Sequence, residues 1–301
     1  MSTTVTLVLS SGGARGYAHI GVIEALEKHG FSIASVTGCS MGSVVGGMYA
    51  AGGIQTFKNW ACSLDRTEVF KLYDFVFSAQ GIMRGERVFH EIEQLIPDRN
   101  IEDLPIPFKA VATDINSQCE LIFDRGSLYK ALRASSAIPA VVKPADYDDL
   151  ELVDGGVLNP LPISVAPRIT GDILVAVDVN ANIPFIKNKV TTKEKEEDHK
   201  INSYWSELVK KWFQKDSNSS DNNHKRPGFF DLMVKSVDMM QDRITEYTVR
   251  EHKPDILVRV SRSASSSFDY HKAEKLIKAG HEAFEKSLEI YLNQLHAGRL
   301  S

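Results

Sequence analysis

Three cysteines, Cys39, Cys62 and Cys119, are all that 301 residues contain. They are too few and odd in number for a disulfide framework, so a reducing compartment is the simplest setting. Neither sign of charge dominates: 35 Lys and Arg stand against 39 Asp and Glu, a net charge of −4. No basic field advertises nucleic acid, and no nucleic-acid partner is expected. The opening MSTTVTLVLSSGG lacks both a basic start and a long apolar core, so it reads as a first strand and not as a signal peptide. Charge is missing altogether from His29 to Phe57, counting His as neutral. That length alone would span a bilayer, but seven glycines between Gly30 and Gly53 interrupt it. It reads as a buried strand, a turn and a helix. Cytoplasmic or peripheral-membrane residence is expected, with unconventional secretion left open.

What is present is an alternation. Val5–Leu9 and Ile33–Thr37 are short, apolar, β-branched runs, the pattern of buried parallel strands. Each is followed by a glycine-bearing loop and then by helical spacing, over Tyr17–His29 (closed by Gly30) and over Ser43–Ala51. Further strands are predicted at Phe108–Thr113, Glu120–Phe123, Glu151–Val153, Ile173–Val179 and Ile256–Val260. Further helices are predicted at Arg87–Leu95, Ser127–Ser135, Phe230–Arg250 and Tyr270–His296. The alternation implies a parallel sheet covered by helices in a single domain over 1–301. The polar, Lys- and Glu-rich stretch 183–228 reads as a variable, partly mobile insertion in it.

Three motifs carry chemistry. Gly38-Cys39-Ser40-Met41-Gly42 has the Gly-x-Ser-x-Gly spacing of a nucleophile on a sharp strand-to-helix turn. The turn needs small residues two places either side of the serine, and the helix that follows aims free N–H groups at a developing anion. Small residues further on, such as Gly46 and Ala50, fit close helix packing instead. Ser11-Gly12-Gly13-Ala14-Arg15-Gly16 has backbone amides that can form an anion nest. If the first two strands are neighbours, both loops leave one edge of the sheet, and the amides of Gly12, Gly13 and Ala14 form an oxyanion hole beside Ser40. A nucleotide site fits this loop poorly. No acid lies between Glu27 and Asp65 to hold a ribose, and Arg15-Gly16-Tyr17 replaces Gly-Lys-Ser/Thr. The third motif is Asp154-Gly155-Gly156. Alone it reads as a hairpin turn; beside an unpartnered nucleophile it offers a carboxylate base. The histidines lie in helices or in the insertion, without catalytic surroundings.

Together, SSGGARGYAHIGVIEAL, TGCSMGSVVGGMYA, ALRASSAIPAVVKP and LVDGGVLNPLP resemble the patatin-like phospholipase family in content and order. The resemblance runs from about Val5 to Val179 and resumes over Phe230–Val260. It implies a three-layer α/β/α fold with a mostly parallel central sheet. It implies Ser40 as nucleophile and Asp154 as general base, with Gly12–Gly16 forming the oxyanion hole and Arg15 at the usual basic position. Gly38, Gly42, Gly16, Gly155 and Gly156 support those loops. Ser11 departs from the family, where many members carry a third glycine. The implied activity is hydrolysis of phospholipid or lysophospholipid esters through an acyl-serine intermediate, with no metal or organic cofactor. A non-catalytic lipid-binding or regulatory protein of the same fold is the alternative. Residues 201–213 place Trp, Phe and Leu at helical spacing beside lysines, which suits either peripheral membrane contact or ordinary packing. Phe70, Phe75 and Phe77 suit an acyl pocket or lid, or plain core.

Overall fold

A computed structural model describes residues 3–78, 81–147, 149–184 and 229–298. The stretch expected as an insertion, from 185 on, and the 201–213 stretch lie outside the described residues. The chain divides into two units, Met1–Pro184 with Gln241–Ser301, and Phe185–Met240. Apart from the first residues of one helix, Phe229–Met240, all that follows concerns the first.

The apolar run beginning the chain forms β1 (Thr3–Leu9), buried from Val5 onward. A 3-10 turn (Gly13–Tyr17) leads into α1 (Ala18–Lys28), which Gly30 ends with φ +78°. Then come β2 (Phe31–Cys39) and α2 (Met41–Ala50). Two helices not anticipated from sequence follow, α3 (Ile54–Ser63) and α4 (Arg66–Leu72), then a small hairpin, β3 (Phe75–Ser78) with β4 (Gly81–Met83), and α5 (Glu86–Leu95). Next are β5 (Phe108–Asp114), β6 (Cys119–Phe123), α6 (Leu128–Ser135), β7 (Ala145–Tyr147), β8 (Leu150–Asp154) and β9 (Ile173–Ala181). The chain closes with α7 (Phe229–His252), β10 (Ile256–Ser261) and α8 (Ala273–Gly298). Tyr270, expected as the first residue of the last helix, lies in a 3-10 turn before it. None of the described helices is long and apolar enough to cross a membrane.

The sheet runs β10-β9-β1-β2-β5-β8-β7, with β6 also on β5. The five strands from β10 to β5 are mutually parallel, whereas β6, β7 and β8 pair antiparallel. Side chains alternate across it. Val8, Leu174 and Ala176 pack with Leu161, Ile163 and Val249 of α7 on one face. On the other, Leu9, Val36 and Phe108 meet α2 at Gly46. Helices thus cover both faces, giving the α/β/α layering. On the α2 side α1 and α8 cross with backbones nearly touching: a Cβ on Gly21 would stand 2.0 Å from the Ile277 carbonyl oxygen, and one on Gly280 1.9 Å from that of Ala18.

One detail of the sheet places the site. At Ala110 and Val111, β5 pairs with both β2 and β6, and at Ala112–Asp114 with both β8 and β6. A strand has two edges, so β2 and β8 share one of them. Cys39 lies opposite Val111 and Asp154 opposite Ala112. The carboxyl ends of two strands running in opposite directions therefore face each other at consecutive residues of β5.

Candidate active site

Ser40 is the residue just past the end of β2, and its backbone is strained, with φ 53° and ψ −126°. A non-glycine residue in that region persists only where its surroundings enforce it. Here they do. A Cβ on Gly38 would meet the Gly42 carbonyl oxygen at 2.4 Å, and one on Gly42 would meet those of Leu9 and Ser10 at 2.4 and 2.5 Å. The two glycines of the motif let the turn close against β1. The Ser40 carbonyl is held by the Ser43 hydroxyl (2.6 Å) and the Ser43 amide (2.8 Å). Its N–H donates to Ser135 Oγ (2.9 Å), and the Ser135 hydroxyl donates to the Val111 carbonyl (2.7 Å). Ser135, part of the SSAIP stretch, thus ties the turn to β5 at the point where β2 and β8 meet.

Asp154 ends β8 and is 5% exposed. Its carboxylate accepts hydrogen bonds from the Gly156 N–H (2.7 Å) and the Cys39 thiol (3.7 Å), and the nearby Ser40 hydroxyl also favours its charged form. Burial raises its pKa from the usual 3.8 to about 6, against the pull of those three groups. The Asp-Gly-Gly stretch is no hairpin: Gly155–Val157 is a 3-10 turn capped by the Asp154 side chain. A Cβ on Gly155 would lie 2.2 Å from the Val111 carbonyl oxygen, which explains that glycine. The Gly156 carbonyl accepts from Gln241 of α7 (2.9 Å), a partner with no signature in the sequence.

The glycine-rich loop lies at the same edge, since Leu9 at the end of β1 pairs with Gly38. Gly13 has φ +54°, and a Cβ there would meet the Ser267 carbonyl oxygen at 2.5 Å. No acceptor among the described residues holds the Gly12 or Gly13 amide. Ala14 differs from expectation: its N–H donates to the Ser267 carbonyl (2.8 Å) and is occupied. Arg15 is buried, and its guanidinium bonds Asn180 Oδ1 (2.6 and 2.9 Å) and the Ser265 carbonyl (3.2 Å). Asn180 in turn donates to the Ser11 carbonyl (2.8 Å), so Arg15 braces the loop from behind. Gly16 admits Met41, whose Cγ a Cβ there would meet at 2.3 Å. Ser11 is not among the positive-φ residues, so a side chain is tolerated where many members of the resembled family carry glycine.

His19 is buried, its Nε2 2.9 Å from the Ser10 carbonyl. Burial lowers its pKa to about 4, so the ring is neutral and its bonded nitrogen donates. It supports the strand end and does not reach the Ser40 side chain. Among the described residues no group of three His, Cys, Asp or Glu could hold a metal ion.

Beside Ser40 opens an apolar cavity of about 120 Å³, lined among others by Met41, Val44, Trp60, Leu72, Ile92 and Val141. Helices α3, α4 and α5 supply much of its wall. Phe70, one of the aromatics expected there, is 43% exposed and is not part of the lining. The side chains of Phe75 and Phe77 lie outside the described residues. Phe57, Phe89 and Phe268 line the cavity instead, with Tyr270. A hydroxyl beside a buried carboxylate, at a strained turn near loose amides and an apolar hollow, can pass its proton on as its oxygen attacks a carbonyl.

Several known proteins are similar to this chain in sequence. An uncharacterized NTE family protein of Mycobacterium tuberculosis is 32% identical over 96% of this chain and 92% of its own length. Human patatin-like phospholipase domain-containing protein 6 is 34% identical over 186 residues, 59% of this chain but 13% of that protein. The neuropathy target esterase sws of Drosophila melanogaster is 30% identical over 185 residues, again 59% of this chain and 13% of that protein. The crystal structure of VipD from Legionella pneumophila aligns over 96% of this chain and 67% of its own at 12% identity, with a TM-score of 0.45, and nothing about the site rests on it. The family profile described as Patatin-like phospholipase matches residues 7–167. That span runs from β1 through the elbow to the Asp-Gly-Gly turn, and this chain belongs to the patatin-like phospholipase family.

Proposed function

We propose that the protein is a serine acyl-ester hydrolase acting on phospholipid or lysophospholipid through a Ser40–Asp154 dyad. The observation that carries this reading is the Ser40 hydroxyl beside a buried carboxylate whose pKa is raised to about 6. At neutral pH Asp154 is ionised and yet a stronger base than an exposed aspartate. It takes the Ser40 proton as Oγ attacks the acyl carbon. The oxyanion that forms is met by the Gly12 and Gly13 amides; Ala14 and Arg15 hold the loop that presents them. The acyl chain occupies the apolar cavity. Water then attacks the acyl carbon while Asp154 takes its proton; the bond to Ser40 Oγ breaks, that proton returns to Oγ, and the carboxylic acid leaves. The lipid substrate class is supported by that cavity and by the name of the human relative, and ester hydrolysis by that of the fly relative.

Ser40→Ala and Asp154→Ala are each expected to lower hydrolysis in a lipid-panel assay by at least about 10³-fold, while both melt as folded proteins. Substantial turnover in either would sink the dyad. Failure of the wild-type chain to take up a serine-reactive phosphonate would favour a non-catalytic lipid-binding protein of the same fold.

A further inference from the structure

Tyr270 belongs to none of the four motifs, yet it lines the cavity into which Ser40 faces. Its ring is fixed by an edge-on contact with Tyr17, centroids 6.0 Å apart at 87°. Its phenol oxygen has no hydrogen-bond partner among the described residues. A phenol in a mostly apolar lining is free to donate to a polar group bound in the cavity. Asp154 and Arg15 are the charged groups acting on it electrostatically. Asp154 is the group that both takes and returns the proton, so the leaving alcohol must depart on its side of Ser40. The Gly12 and Gly13 amides serve the carbonyl oxygen.

Building on the dyad reading, we propose that Tyr270 is a further catalytic residue, donating a hydrogen bond from its hydroxyl to the leaving-group oxygen of the ester. In acylation, a bond forms between Ser40 Oγ and the acyl carbon, and the serine proton passes to Asp154. The carbon–oxygen bond to the alcohol then breaks, and its electron pair goes to the alcohol oxygen. That oxygen takes the proton from Asp154 while Tyr270 hydrogen-bonds it and keeps its own. Burial pushes the Tyr270 phenol up to about 12, so it carries its proton at neutral pH.

The test is kcat/KM, which reports acylation, for two esters of one acyl chain: methyl octanoate, whose alkoxide is a poor leaving group, and p-nitrophenyl octanoate, whose phenolate is a good one. Tyr270→Phe keeps the ring and its contact with Tyr17. It is expected to lose about 10- to 100-fold on the methyl ester, the worth of one hydrogen bond to a charged oxygen, and no more than about threefold on the aryl ester. An equal loss on both, or no loss on either, overturns the proposal. Ser40→Ala run alongside separates the two claims: activity surviving there sinks the dyad reading beneath this one, whereas an inactive Ser40→Ala with a flat Tyr270→Phe result sinks Tyr270 alone.

Discussion

Asp154 carries two opposed demands. Its burial suits a base and costs stability, and the sign follows from the raised pKa. The carboxyl favours the folded state while protonated, so its contribution is full below about 3.8 and lost as pH rises through about 6. The difference corresponds to ~3 kcal/mol. Asp154→Asn has no charge to bury. Its melting temperature is expected to exceed the wild type's at pH 8 by several degrees, at about 2–4 °C per kcal/mol, with the gap closing at pH 4. The same carboxyl predicts a wild-type kcat/KM that rises through a midpoint near pH 6 and then levels. Equal melting temperatures at pH 8, or a midpoint near 4, would contradict the buried-base account. At this scale much was legible. Ser40, Gly38 and Gly42 announce themselves because only glycine fits against the β1 carbonyls and the turn's own backbone. Ser135, Gln241 and Tyr270 did not, because each meets the site from an element far along the chain.

Among the elements, the long apolar strands were readable because burial on both faces leaves an unbroken run, as in β1 and β9. Helices α3 and α4 were not anticipated, although Asp65 and Glu68 form a capping box that marks the start of α4. Strand β7, with only Ala145–Tyr147, offers too little pattern for its period to show. The crossing of α1 and α8 is the most exacting contact between elements, since each helix has a glycine where the other's backbone passes. Gly280→Ala puts a methyl 1.9 Å from the Ala18 carbonyl oxygen. It is expected to destabilise the protein by about 1–3 kcal/mol or more, as overpacking does. Thermal melting checks this: a midpoint within ~1 °C of wild type would mean the helices can part freely.

For the molecule as a whole, sheet and cavity divide the labour. The sheet edge holds the reacting groups, while α3, α4 and α5 shape the room beside them. Val88 of α5 lines that room. Val88→Trp is expected to reduce kcat/KM for a sixteen-carbon acyl ester by about tenfold relative to a four-carbon one, as lost burial of roughly two methylenes would. An unaltered chain-length profile would place the acyl chain elsewhere. Cys39 and Asp154 meet although 115 positions separate them. They do so only because β2 and β8 abut on one edge of β5. On the dyad proposed above, the Ser40 turn therefore emerges early in synthesis and stays inert. The proposed base arrives only when β8 has been made and has docked in register, because a slip by one residue would turn Asp154 to the opposite face. A nascent or truncated chain ending before β8 would lack the proposed base and could not carry out the proposed hydrolysis.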